Sequence, residues 1–322
     1  MTGGLQVQAF ATHKALSGLG GVNAELFNWS DDKPAHDLYH FIGFPPYLTR
    51  ITELVRQAER PYILTMLFGS TRQWTQLWPG KIKQFGKSQI LRQRSRYEAV
   101  MNASAIVTIT EADADAARFI YGIDEKRIHI VPNGIDETFF NPSPALWREK
   151  FGPDPFILCV GAIQPRKNQL LLTEICNHLQ LPVVLLGPVL PGEKAYAHKV
   201  MDAIKVNEHF GGRWIQNLKN EDALFVSAHA ACKMFALLSV DETQPLSVMQ
   251  AMAARKPILL LKAPYTTDLL FIDLPAAPSA NRSVVSESLK RGWNGGKQTS
   301  LNAEFTWNEV ARRLTKIYRS VF

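Results

Sequence analysis

The sequence predicts an α/β chain built as two doubly wound parallel sheets in succession, and three observations lead to that class. Short, almost wholly apolar runs recur between stretches of helical spacing, the pattern of strands buried on both faces and joined by helical crossovers. Proline and glycine crowd one span near the middle, at Pro132, Gly134, Pro142, Pro144, Gly152, Pro153 and Pro155, which marks a hinge between two such sheets. With 322 residues the chain is long enough for two domains, each with its own core.

Residues 6–16 have helical spacing, behind Gly3 and Gly4 almost at the start. Residues 22–29, 37–44, 62–68 and 105–109 read as strands, and 47–58 and 89–103 as helices between them. After the hinge, 156–160 reads as a buried strand, and Asn168 opens a helix carrying Leu170, Leu171, Leu172, Ile175 and Leu179. Residues 232–238 read as a strand and 239–244 as a loop. Pro245 suits the first turn of a helix bearing Leu246, Met249, Met252 and Ala253, with Gln250 placed two turns in. That helix ends ahead of Lys256 and Pro257, and 258–261 begin another buried strand. Residues 273–300 mix Pro, Ser, Asn and Gly and read as irregular. A last helix shows an apolar stripe at Trp307, Val310, Leu314, Ile317, Tyr318 and Val321. The expected division is an N-terminal domain over 1–140, a second domain over 141–302 and the terminal helix over 303–322.

Composition is that of an ordinary globular protein, 46% hydrophobic and 20% charged. No apolar run reaches the roughly 18 residues needed to span a bilayer, and the chain opens without a secretory leader. Cys159, Cys176 and Cys232 fall in apolar strand or helix contexts, which favours buried free thiols over disulfides or a metal site. A cytoplasmic protein is expected. The net charge of +7 is partly concentrated in Lys81, Lys83, Lys87, Arg92, Arg94 and Arg96, with no acid among them and Arg72, Trp74, Trp78 and Phe85 close by. Such a segment, 72–96, reads either as a solvated basic face or as a peripheral contact with an anionic membrane or lipid-linked acceptor. No nucleic-acid motif accompanies the charge.

Two segments carry the chemistry. In Val160-Gly161-Ala162-Ile163-Gln164-Pro165-Arg166-Lys167-Asn168, a glycine turn and two adjacent cations separate a strand from a helix start. In Glu242-Thr243-Gln244-Pro245-Leu246-Ser247-Val248-Met249-Gln250, a carboxylate precedes another helix start. In open α/β sheets such loops lie at the carboxyl ends of the strands, where ligands bind, and helix amino termini favour anions. A guanidinium and an ammonium there suit a diphosphate, one as a bidentate fork and the other as a point charge. Taken alone, the Arg166-Lys167 pair reads better as solvated surface charge, Glu242 as a partner of the helix dipole and Gln250 as an ordinary helix residue. Their combination points to a nucleotide-sugar diphosphate.

With the intervening Arg213-Trp214-Ile215-Gln216-Asn217-Leu218-Lys219-Asn220-Glu221, these segments resemble the carboxyl-terminal domain of GT-B glycosyltransferases of the group 1, family 4 type. Val131-Pro132-Asn133-Gly134-Ile135-Asp136 resembles the interdomain segment of that family, and Thr108-Ile109-Thr110-Glu111-Ala112-Asp113 the last strand-helix unit of its amino-terminal domain. Phe305-Thr306-Trp307-Asn308-Glu309-Val310-Ala311 resembles its terminal helix. The resemblance covers nearly the whole chain and is strongest from about 106 to 268. It implies two Rossmann-like domains with a hinge near Asn133 and Gly134, closing to exclude water, and a terminal helix that packs back on the N-terminal domain.

The resemblance also implies a retaining sugar transfer, without a metal or other cofactor, from a nucleoside diphosphate sugar to a hydroxyl acceptor on a glycan or lipid-linked substrate. A UDP-sugar is the default donor. Arg166, Lys167 and the amides at Leu246 and Ser247 would hold the diphosphate beside Gly161. Glu242 would meet the sugar hydroxyls and the charge developing at the anomeric carbon. Gln250 would face the ribose, Asn217 and Leu218 the base, and Gly3 and Gly4 would form the N-terminal glycine loop.

Departures from the family pattern keep other readings open. Its Glu-x7-Glu signature here ends in Gln250, whose amide hydrogen-bonds without charge. The position near Leu67 lacks the histidine of many relatives, while His40 matches another family position. The first strand is missing ahead of Gly3 and Gly4, so that either the true start lies upstream of Met1 or the sheet lacks a central strand. A catalytically silent GT-B subunit, binding a nucleotide sugar or partnering an active transferase, is the alternative, and a nucleotide-sugar epimerase of the same fold is a further one.

Overall fold

The computed structural model describes residues 4–27, 36–45, 48–68, 87–219 and 221–322. They fall into two compact units, Gly4–Gly134 with Phe305–Phe322, and Ile135–Glu304.

In the first unit, α1 (Gly4–Ser17) precedes β1 (Tyr39–Ile42), α2 (Leu48–Gln57), β2 (Tyr62–Met66), α3 (Lys87–Met101), β3 (Ala105–Thr108), α4 (Glu111–Tyr121) and β4 (Ile128–Ile130). The four strands pair in parallel in simple chain order. Every residue of β2 and β3 is buried, which is why both read as continuous apolar runs. The ends of α4 follow from local chemistry. The Thr110 side chain accepts from the Asp113 amide at its start, and Gly122 closes it in the left-handed region with φ 65.

The second unit runs α5 (Ala145–Phe151), β5 (Ile157–Val160), α6 (Gln169–Leu179), β6 (Val183–Leu186), α7 (Lys194–Asn207), β7 (Arg213–Ile215), α8 (Ala223–Ala231), β8 (Met234–Leu237), α9 (Leu246–Ala253), β9 (Ile258–Leu261), β10 (Ala276–Ala277) and α10 (Arg282–Gly295). Its six strands are parallel in the order β10-β9-β8-β5-β6-β7. The chain runs outward from β5 to β7, then crosses to β8 and runs outward the other way, so strand order reverses between β5 and β8. That reversal is where open α/β sheets form a ligand crevice beyond their carboxyl ends. Ile157, Cys159, Leu172, Ile175, Val183, Leu185, Val200, Met234, Leu259, Val285 and Leu289 share the core beneath it, each large aliphatic contributing about 1.5–3 kcal/mol of burial.

The terminal helix α11 (Trp307–Ser320) belongs to the first unit. Val310, Leu314 and Ile317 join Ile63, Ala105, Val107 and Val131 in one buried cluster, and Ala311 packs with Ala15 and Leu16 of α1. The Thr306 side chain caps α11 by accepting from the Glu309 amide.

Three expectations are corrected. Residues 22–27 are irregular chain, not a strand, with the Ala24 carbonyl accepting from His13 and Ser17 of α1; 28 and 29 lie outside the described residues. The short β4 pairs with β3 where no strand was expected. Residues 273–300 contain β10 and the fourteen-residue α10. The apolar stripe of α10 is sparse, with only Val285 and Leu289 fully buried, and its start comes from the Asn281 cap.

All three cysteines are buried and unpaired. Among the described residues no helix is long and apolar enough to cross a membrane.

Candidate functional site

The reversal between β5 and β8 sets two loops side by side. β5 ends at Gly161, whose φ of 149 suits glycine, and a Cβ there would lie 3.1 Å from the Nζ of Lys167. Without that Cβ, the lysine side chain lies back over the strand end. Gly187, just beyond β6, has φ 152, and a Cβ on it would come within 2.1 Å of the Gly161 carbonyl oxygen. The β6 end can therefore approach the β5 end this closely only through the glycine at 187.

From Gly161 the chain makes a single 3-10 turn at Pro165–Lys167, then passes Asn168 at φ 53 into α6. Cross-links fix this turn to the loop after β8. Asn168 Nδ2 donates to the Leu238 carbonyl at 2.8 Å, and the Val240 amide donates to the Arg166 carbonyl at 2.9 Å. The backbone thus holds the two cations opposite the carboxylate before any ion pair forms.

Glu242 Oε1 accepts from Lys167 Nζ at 2.5 Å and from Arg166 Nη1 at 3.0 Å. Arg166 also donates to the Asp241 carbonyl, to Ser239 Oγ at 3.4 Å and, through Nε, to Gln164 Oε1 at 3.1 Å. Burial opposes ionisation of Glu242, but the neighbouring charges of Lys167 and then Arg166 outweigh it and hold the carboxyl below its usual range. The side chains of Lys167 and Glu242 are 10% and 12% exposed, whereas that of Arg166 is 38% exposed. The cluster therefore presents its guanidinium to solvent and keeps the ammonium behind.

Gly161, Arg166, Lys167 and Glu242 are thus brought together as the sequence suggests. Leu246 and Ser247 begin α9 immediately after the Glu242 loop, and no side chain caps that helix. Two local details differ. Pro245 is an extended N-cap with ψ 112, outside the helix, so Gln250 is buried one turn into α9 instead of two. Asn217, exposed, and Leu218, half-buried, follow the edge strand β7, two strands away from β5. Gly3 lies outside the described residues. Gly4 is the first residue of α1 and belongs to the other unit.

His40 has a different setting. Its Nδ1 meets the Tyr318 hydroxyl and its Nε2 the Thr65 hydroxyl, both at 2.7 Å. Of the basic segment, 72–86 lies outside the described residues. Arg94 pairs with Glu98 on α3, and the Arg96 guanidinium sits 5.4 Å from the centre of the Phe44 ring. Sequence reasoning gave no site role to Ser239, Asn168 or Gly187. Only Gly187 carried a readable signal, a glycine directly after an apolar strand and before Pro188.

Comparison with known proteins agrees with this architecture. The family described as glycosyl transferases group 1 matches residues 147–270, and the glycosyl transferase 4-like domain matches 4–134. The D-inositol 3-phosphate glycosyltransferase of Xylanimonas cellulosilytica is 33% identical over a segment that makes up 28% of this chain and 24% of that protein. The alpha-maltose-1-phosphate synthase of Mycobacterium tuberculosis is 25% identical over 76% of this chain and 70% of that one. Among solved structures, the sucrose-phosphate synthase of Thermosynechococcus elongatus superposes with a TM-score of 0.69 at 15% identity, covering 89% of this chain and 74% of that one. Anabaena HepE in complex with UDP and glucose gives 0.61 at 16% identity, covering 88% and 78%. With one glycosyltransferase model on each unit, the chain belongs to the group 1 glycosyltransferases and has their GT-B fold.

Proposed function

We propose that the protein transfers a sugar, with retention of configuration, from a nucleoside diphosphate sugar to a hydroxyl of a glycan or lipid-linked acceptor, without a metal. The observation that carries this reading is the Arg166–Lys167–Glu242 cluster at the reversal point of the sheet, beside the uncapped start of α9. Two cations and a helix amino terminus suit the charge of a leaving diphosphate by preorganised electrostatics.

In this reading the bond between the anomeric carbon and the diphosphate oxygen breaks, and its electron pair leaves with the diphosphate. The acceptor oxygen bonds to the same face of that carbon, and its proton passes to the departing diphosphate. Arg166, Lys167 and the Leu246 and Ser247 amides neutralise the leaving group, while Glu242 meets the sugar hydroxyls and the positive charge at the anomeric carbon. Gln250 takes the ribose by neutral hydrogen bonds, and Asn217 and Leu218 lie on the side of the base.

UDP is the donor nucleotide we favour, supported by HepE, which was solved with UDP and glucose. The buried free thiols accord with a reducing, cytoplasmic setting. Peripheral contact of the 72–96 basic segment with an anionic membrane would bring a lipid-linked acceptor close.

The test is binding and slow hydrolysis of UDP-, GDP- and ADP-sugars by the unsubstituted chain, Glu242→Ala and Arg166→Ala/Lys167→Ala. One donor should be hydrolysed, Glu242→Ala should abolish turnover while retaining binding, and the double variant should lose binding by at least about a hundredfold. Binding through Arg166 and Lys167 with no turnover of any donor, in the presence of candidate acceptors, would instead identify a silent subunit.

A further inference from the structure

The donor reading contains a conflict of partners. Both cations needed by the diphosphate are already committed to Glu242 Oε1, and the carboxylate needed by the sugar is held by those cations. A diphosphate, with two or more negative charges, competes with Glu242 for the same N–H donors. Once displaced, a carboxylate only 12% exposed needs another donor, because an unpartnered buried charge is among the costliest states in a protein.

Such a donor lies at the same end of the sheet. The turn Pro264–Thr267 follows β9, and β9 pairs in parallel with β8, so Tyr265 emerges at the same end of the sheet as the Glu242 loop. Tyr265 is 4% exposed, and its hydroxyl is buried without a hydrogen-bond partner. Leaving a buried hydroxyl unsatisfied is costly, so such groups are ordinarily paired. The ring is braced edge-on by Phe271 with 6.2 Å between centroids, and the turn is held by the Thr266 amide donating to the Ala263 carbonyl at 3.0 Å. Burial and then the negative charge of Glu242 raise the pKa of the phenol, which keeps its proton and remains a donor.

We propose that Tyr265 is a positioning residue, whose hydroxyl receives the Glu242 carboxylate when the donor diphosphate displaces it from Arg166 and Lys167 and holds it toward the sugar. The inference rests on the donor reading above. It gives Glu242 a second role, as the resident counter-ion that nucleotide must displace and that helps expel the nucleotide product.

The experiment is a double-mutant cycle on UDP affinity, by calorimetry, in the unsubstituted chain, Glu242→Gln, Tyr265→Phe and the double variant. GDP or ADP replaces UDP if it is the nucleotide bound. Glu242→Gln should tighten binding about tenfold, since a neutral amide releases the two cations. Tyr265→Phe should weaken binding about fivefold when Glu242 is present and leave it unchanged beside Gln, a coupling diagnostic of direct contact. Thermal melts within a few degrees of one another confirm that all four chains fold. An equal effect of Tyr265→Phe in both backgrounds would reduce Tyr265 to a packing residue and overturn the inference alone. Failure of every nucleoside diphosphate to bind the unsubstituted chain would overturn the donor reading and the inference together.

Discussion

Each unit holds a polar cluster of its own, and the two are built on opposite plans. In the first unit, the two nitrogens of His40 are matched by the hydroxyls of Thr65 and Tyr318, both at 2.7 Å. Desolvation lowers the pKa of the imidazole to about 4, so at neutral pH the ring is uncharged, with one nitrogen donating and the other accepting. This network joins β1, β2 and α11 and leaves neither ring nitrogen without a partner. In the second unit, the groups in contact are two cations and one anion, and the guanidinium is 38% exposed. A neutral, satisfied network is a fastening. A charged cluster with surplus positive charge and an open edge is suited to receive an anion, and that contrast separates the candidate site from the histidine that also matched a family position.

The contrast is tested most strongly by taking one partner from each cluster. Lys167→Met leaves Glu242 in a buried setting with Arg166 alone, and should cost about 3–5 kcal/mol, most of it regained when Glu242→Gln is added. Tyr318→Phe strands one ring nitrogen of His40 and should cost about 1–2 kcal/mol. Urea unfolding of the three variants measures both. A larger loss for Tyr318→Phe than for Lys167→Met would reverse the assignment of roles.

Acid should separate the same groups by pH window. His40 and His229, one in each unit, both have pKa values lowered from 6.5 to about 4 by burial. The unfolded chain therefore binds protons in this window that the folded chain refuses, so stability is full above pH 6.5 and falls as pH drops toward 4. The loss should reach about 3 kcal/mol for each histidine. Glu242 acts lower down. Its depressed carboxyl adds stability above the unfolded glutamate pKa, and this is lost only as pH falls through the lower folded value. His40→Asn and His229→Asn should each flatten unfolding free energy between pH 6.5 and 4, whereas Lys167→Met should flatten it only below that range.

Legibility in the sequence followed the physics of each region. The strands β2, β3, β5, β8 and β9 were readable because burial on both faces demands unbroken apolar runs. Arg166, Lys167 and Glu242 were readable because strand-end loops of a doubly wound sheet are where such charges meet a ligand. The ion pairing itself was not legible, since it depends on a register of β5 against β8 that no local pattern states. Helix α10 was hidden because only Val285 and Leu289 of its fourteen residues are fully buried, with Val284 and Trp293 partly so, and the rest are polar or small. Residues 22–27 misled in the opposite direction, an apolar-looking run that pairs with no strand among the described residues. Tyr265 had no signal at all, because an unpartnered hydroxyl is a property of its surroundings.

The smallest expected effect is the sharpest discriminator. Ser239 is fully buried, and its hydroxyl accepts from Arg166 at 3.4 Å and donates to the Asp241 carbonyl at 3.1 Å. These contacts, and a third from the Asp241 amide at 3.5 Å, are long, and Arg166 keeps Glu242 and the Asp241 carbonyl without the serine. Ser239→Ala should therefore cost less than about 1 kcal/mol and change nucleotide affinity by no more than about twofold. Thr65→Val removes a similar hydroxyl, but that hydroxyl is the 2.7 Å partner of His40 Nε2 and its loss strands a ring nitrogen, so about 1–3 kcal/mol is expected. If the two hydroxyls prove equally costly in chemical unfolding, the 239–242 loop is held by its serine and not by its ions. Glu242 would then be a structural anchor like His40, and the surplus charge of Arg166 and Lys167 would have to be explained without a diphosphate.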